Sequence, residues 1–187
     1  MADTSQLSFP RHSAKTLRFT LGAPRTFTLS PDGQRLIFVR SASGTDRIGR
    51  LYQYDLRSDV EELLVDPLNL LVDGAEQLSP EERARRERTR EAAGGITSYS
   101  SDKKCEFITF VLSGKLYTLE ISSKRIREEA SAGIVIDPQL APDGKSIAYI
   151  TPEAELHLSR EGKVKVLCTP ENPDIFYGTA EFVASEE

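Results

Sequence analysis

Two phrases of the chain share one design. "SPDGQRLIFVR" at 30–40 and "APDGKSIAYIT" at 141–151 each join a Pro-Asp-Gly turn to an alternating apolar run. That is how a tight turn feeding a half-buried strand reads, because Pro presets one turn dihedral and Gly supplies a positive φ. Between them, "SSDKKCEFITFV" at 100–111 keeps the run without the Pro and Gly. Each phrase leads into a second strand of period two: "RLYQYDL" at 50–56, "KLYTLEI" at 115–121 and "ELHLSR" at 155–160. A third short strand follows in "VEELLV", less clearly in "RIREEAS", and again in "KVKVLCT". The second and third copies start 41 residues apart (141 − 100), near the ~40–45 residues of one propeller blade. The first and second start 70 apart (100 − 30), and the segment from Asp66 to Ala93 accounts for the excess.

This periodicity predicts an all-β chain, a partial β-propeller of about three to four blades, each a four-stranded meander, with one inserted Arg-rich helix. A β-sandwich is the rival, since short strands separated by turns suit it too. Residues 1–29 read as an N-terminal arm with a first strand, and 30–187 as an incomplete propeller with its helical insert at about 66–95. About three to four blades do not close a ring of the usual 4–8.

Composition excludes several classes. With 39% hydrophobic and 28% charged residues the chain is globular in character, not disordered or collagenous. A net charge of −5 spread over both signs argues against nucleic acid as the main partner. Cys105 and Cys168, each placed in an apolar strand-like run, predict no disulfide framework and fit a reducing compartment. No run approaches the ~20 apolar residues of a membrane span, so the expectation is a cytoplasmic protein with no membrane partner.

The motifs point to no chemistry within the chain. His12 lies in the arm, and His157 alternates with Leu156 and Leu158, so both are expected at the surface. There is no Gly-x-Ser-x-Gly elbow, no phosphate loop and no His-Glu-x-x-His helix. Catalytic residues, metal ligands and cofactors are therefore expected to be absent, and the chain alone is expected to be inactive.

The insert carries "LSPEERARRERTREAAGG". Ser79 as N-cap, Pro80 at the first position and Glu82 three residues after the cap make a capping box, and Gly94 or Gly95 supplies the stop. The helix has no apolar face to bury. One reading is a solvated helix steadied by Glu81–Arg85 and Glu82–Arg86 pairs. The other is an arm over a cavity that lends a guanidinium fork to a carboxylate, phosphate or peptide carbonyl.

"SPEERARRERTREAAGGITSYSSD", together with "YGTAEFVASEE" at the end, resembles the N-terminal part of the dipeptidyl peptidase IV family, and more closely its bacterial and cytosolic dipeptidyl peptidase 8/9-like branch. These are serine exopeptidases of the prolyl oligopeptidase clan, in which an eight-bladed propeller caps an α/β-hydrolase domain. The resemblance covers about Ser30 to Glu187. It implies that Glu186 and Glu187 hold the free α-amino group of a peptide substrate. It also implies that an arginine of the helix reaches a substrate carbonyl, with Arg90 and Arg88 the first candidates and Arg86 the third. Two confined carboxylates repel, and an ammonium relieves both, so such a pair measures the distance to a peptide's N-terminus. On this reading the chain recognises substrate for the release of X-Pro dipeptides, while the serine elbow and its acid and base partners are absent. The implied partners are the peptide N-terminus, the hydrolase domain and a second copy in a homodimeric parent. The alternative is a stand-alone propeller-like module that binds a protein or peptide.

Overall fold

The computed structural model describes residues 8–71, 94–172, 174–175 and 177–178. After the helix α1 (Phe9–Lys15), strands β1 (Arg25–Leu29), β2 (Arg35–Ser41), β3 (Ile48–Asp55) and β4 (Val60–Val65) form the first sheet, in that order. A 3-10 turn, Pro67–Asn69, follows, and β5 (Gly94–Gly95) returns to pair in parallel with β3. Strands β6 (Ser100–Ser101), β7 (Phe107–Leu112), β8 (Lys115–Glu120) and β9 (Arg125–Glu128) make the second sheet. Strands β10 (Ile136–Leu140), β11 (Ile147–Ile150), β12 (Leu156–Arg160) and β13 (Lys163–Cys168) make the third. All three are antiparallel meanders, so among the described residues the architecture is three successive blades of a partial β-propeller. The Arg-rich helix expected in the insert falls in residues outside the described ones.

The repeated phrase is the turn between the first two strands of each blade. Gly33 N–H donates to Ser30 O at 2.8 Å, and Gly144 N–H donates to Ala141 O at 2.9 Å. The second blade makes the same turn two residues later than "SSDKK" aligns, because it is Cys105 N–H that donates to Asp102 O, at 3.1 Å. Cys105 takes the glycine's place at φ +54°, against +68° at Gly33 and +71° at Gly144. A Cβ in this region costs on the order of 1–2 kcal/mol. Asp102 offsets the strain, its carboxylate accepting the N–H groups of Lys104, Glu106 and Phe107 at 3.1, 2.8 and 2.7 Å. Cys105 therefore sits in a turn and not in a strand, which corrects the sequence expectation.

Blades pack face to face. Ile37, Val39, Leu51 and Ile96 of the first meet Ile108, Phe110, Leu112 and Leu119 of the second, all essentially inaccessible to water. The opposite face of the second blade presents Leu116, Phe107 and Val111 to Leu140, Ile147 and Tyr149 of the third. Each such side chain contributes roughly 1.5–3 kcal/mol by leaving water. Neither seam leaves room for a solvent-facing side on the middle blade.

Candidate functional site

Arg86, Arg88 and Arg90 fall in residues 72–93 and Glu186 and Glu187 in 179–187, so all five lie outside the described residues. What the structure describes is the ground from which the insert leaves and to which it returns. On the outbound side β4 ends at Val65, and Asp66 caps the 3-10 turn, accepting Leu68 N–H at 3.1 Å. On the return side Gly94 N–H donates to Arg47 O at 2.8 Å and Ile96 N–H to Gly49 O at 3.0 Å. This crossing requires glycine twice. A Cβ on Gly49 would stand 2.2 Å from Ile96 O, and one on Gly95 2.6 Å from Gly49 O.

Arg50, the next residue of β3, locks the same corner. Its Nε donates to Asp66 Oδ2 at 3.0 Å, and its Nη1 donates to Asp46 Oδ2 at 2.5 Å and Ile48 O at 3.0 Å. Only 9% of Arg50 is exposed. Burial works against its charge, but the bonds from Asp66 and Asp46 prevail and hold its pKa above the ordinary value. Burial likewise pushes the Asp46 carboxyl up, and the Ile48 N–H and Arg50 together bring it below the ordinary range. Both ends of the insert are thus fixed to the start of β3 by two glycines and a partly buried ion cluster, and removing one member of such a cluster leaves a charge poorly compensated.

Tyr99, five residues past Gly94, ties the first two blades together. Its hydroxyl lies 2.7 Å from Thr26 O, 2.8 Å from Ile37 O and 2.9 Å from Thr28 Oγ1. With a single proton it donates to the carbonyls in turn and accepts from the threonine. Burial raises its pKa to about 12. Sequence reasoning passed over Arg50 and Tyr99. The signals available were the acids flanking Arg50 at positions 46 and 66, and a tyrosine just after a Gly-Gly return.

The two histidines separate. His12 is exposed and meets Phe19 edge-on at 5.2 Å. His157, expected at the surface, is 2% exposed. It stacks on Tyr149 at 5.3 Å, with Nε2 3.0 Å from Glu155 Oε2. The expectation failed because His157 pairs across the sheet with Tyr149 on the face turned to the second blade, while Leu156 and Leu158 occupy the other face. At the far end, Gly178 approaches Ile150 and Leu156 on that other face. Among the described residues no group of three or more His, Cys, Asp or Glu is placed to hold a metal. No helix among them is long and apolar enough to cross a membrane.

No family model matches the chain. Solved structures do. A prolyl endopeptidase structure aligns at TM-score 0.57 and 15% identity, covering 90% of this chain and 26% of its own. TolB from Acinetobacter baumannii aligns at 0.51 and 18%, covering 83% and 34%. The tricorn protease aligns at 0.51 and 13%, covering 79% and 13%. The chain therefore spans about a third or less of each matched protein. At such identities the likeness is one of fold: the three meanders are built and stacked as consecutive blades of a β-propeller.

Proposed function

We propose that this chain is the substrate-recognition portion of a dipeptidyl peptidase IV-like serine exopeptidase, which releases N-terminal dipeptides with a preference for X-Pro. Bond cleavage belongs to an α/β-hydrolase domain outside these residues. Glu186 and Glu187 grip the substrate's ammonium, and an arginine among Arg90, Arg88 and Arg86 binds a backbone carbonyl. The observation that carries this reading is the corner at Arg50. The insert bearing the arginines is rooted on a propeller blade by a partly buried ion cluster, and arms of fixed origin on rigid scaffolds suit recognition. The likeness to a prolyl endopeptidase over 90% of this chain supports it. Two free thiols, Cys105 and Cys168, support a reducing, cytoplasmic setting. The alternative of a stand-alone binding module is disfavoured by Phe27 and Leu29, which remain more than half exposed on the open side of the first blade.

In the full-length enzyme, Glu186→Ala or Glu187→Ala should lower kcat/KM for a Gly-Pro chromogenic substrate by roughly 30-fold, equivalent to about 2 kcal/mol. Near-normal cleavage by both variants would sink the assignment. The reading frame beyond Glu187 should also encode further blades and a Gly-x-Ser-x-Gly elbow.

A further inference from the structure

The N-terminal arm is a basic, aromatic surface on an acidic chain. Between Thr4 and Pro31 the sequence carries four cations, Arg11, Lys15, Arg18 and Arg25, and no Asp or Glu, although the whole carries −5. Arg11, Lys15 and Arg18 make no ion pair among the described residues. Helix α1 buries none of its side chains. Phe9 is 73% and Phe19 51% exposed, yet their rings meet at 5.9 Å. Phe19 is brought there by three successive non-glycine residues at positive φ, Leu17, Arg18 and Phe19 itself, a turn held by Phe19 N–H donating to Thr16 Oγ1 at 3.0 Å. The arm is pinned to the first blade: Gly22 N–H donates to Ser41 Oγ at 2.9 Å, and a Cβ on Gly22 would stand 3.2 Å from Gly44 N.

That anchorage puts the arm beside the root of the insert. Ser41 pairs across the sheet with Gly49, and Gly49 O accepts Ile96 N–H where the insert returns. The up-and-down order of the meanders places the connections after the second and fourth strands of every blade on this same rim. At the first blade, Asp46 and Asp66 are both engaged by Arg50, which leaves the cations of the arm uncompensated. In the second and third blades the connections 113–114, 129–135, 151–155 and 169–172 hold Glu129, Glu153, Glu155 and Glu171 and no Lys or Arg. The rim is thus basic and aromatic at the first blade and acidic toward the third. Gly178, from which the chain runs on to Glu186 and Glu187, lies against Ile150 and Leu156 at the acidic end.

We propose that the arm is a subsite for the downstream part of a peptide substrate, and that it selects acidic residues with an aromatic neighbour. This rests on the peptidase reading, in which the substrate's ammonium is held by Glu186 and Glu187. The residues beyond the cleaved dipeptide then extend toward the first blade. There Arg11, Lys15 and Arg18 meet carboxylates, and the paired rings of Phe9 and Phe19 take an aromatic side chain. The two signs of the rim also orient a peptide before it docks, amine to the acidic end and acidic tail to the basic one. A preference for acidic tails runs against the chain's overall −5, so it is the mark of a local cationic surface.

The test is steady-state cleavage by the full-length enzyme of two peptides that differ only in tail charge, Gly-Pro-Ala-Phe-Glu-Asp-Glu and Gly-Pro-Ala-Phe-Lys-Asn-Lys. At about 50 mM NaCl kcat/KM should favour the acidic tail roughly tenfold, through KM, and the preference should shrink to about twofold or less at about 500 mM. Lys15→Glu/Arg18→Glu should invert it, so that the basic tail is cleaved better. The ratio of the two tails within each variant cancels any general loss of activity. Equal cleavage of both tails by the unaltered enzyme, or a preference that survives the charge reversal, overturns the subsite and leaves the peptidase reading standing. Cleavage of neither peptide overturns both.

Discussion

The seam between the first and second blades and the outer face of the first blade are made from the same strands, yet they differ in completeness. Ile37 and Val39 of β2 point into the seam and lose all contact with water. Phe38 points the other way and is itself 3% exposed, lying against Tyr52, stacked at 5.9 Å, and Phe27 at 6.2 Å, with Arg40 4.2 Å above the Tyr52 ring. Phe27 itself remains 60% exposed. Both faces are therefore apolar, and among the described residues only one is packed against a second blade. A propeller blade has no solvent side, so the rule that a strand alternates between core and water fails here.

The largest effect that would sharpen this contrast is in the seam. Phe110→Ala should cost about 3–5 kcal/mol, since the ring is fully enclosed and stacks on Tyr117 at 5.6 Å. Urea titration followed by circular dichroism reads the loss. Next is the second blade's turn: Asp102→Ala removes the acceptor of three backbone N–H groups and should cost about 2–3 kcal/mol, with Asp102→Asn recovering part of it.

A smaller effect is expected from pH at the corner of the insert. The Asp46 carboxyl titrates below its ordinary 3.8 when folded, so its stabilising contribution is complete above that value and fades as pH falls through the lower folded one. Asp46→Asn should therefore flatten the acid limb of stability below about pH 4 and leave Arg50 with Asp66 alone. Unchanged acid titration would show that the ion cluster is not holding this corner. The smallest change belongs to the open face: Phe27→Ser should alter unfolding free energy by less than about 0.5 kcal/mol while raising solubility. A loss comparable to that of Phe110→Ala would erase the distinction between the two faces.

The blades were legible because their turns and middle strands obey local rules. Gly33 and Gly144 mark αL positions, and β7–β8 and β12–β13 are joined by Ser113-Gly114 and Glu161-Gly162, each at positive φ as tight hairpins require. The innermost strands were less legible. The strand β6 is two residues long, and β10 contains Pro138 beside Asp137 at φ +45°, in a register irregularity. Neither looks like a strand to a propensity rule, and both are held by neighbours, as where Leu140 N–H donates to Ser100 Oγ at 3.0 Å. Cys105 was misplaced for a related reason, its αL turn being sustained by Asp102 and not by its own side chain. For the proposed recognition residues, the sequence offers candidates by resemblance alone. Arg50, which roots the insert, emerged only from tertiary pairing across 16 positions with Asp66.

The proposed function turns on whether the protein containing this chain reads a free peptide amine. Cleavage of matched Gly-Pro substrates, one with a free N-terminus and one N-acetylated, tests it most directly. Capping removes the ammonium that two carboxylates would hold, and kcat/KM should fall at least about 100-fold, corresponding to the loss of a charge-assisted pair. Equal turnover of the two substrates, or efficient cutting after an internal proline, would contradict the account.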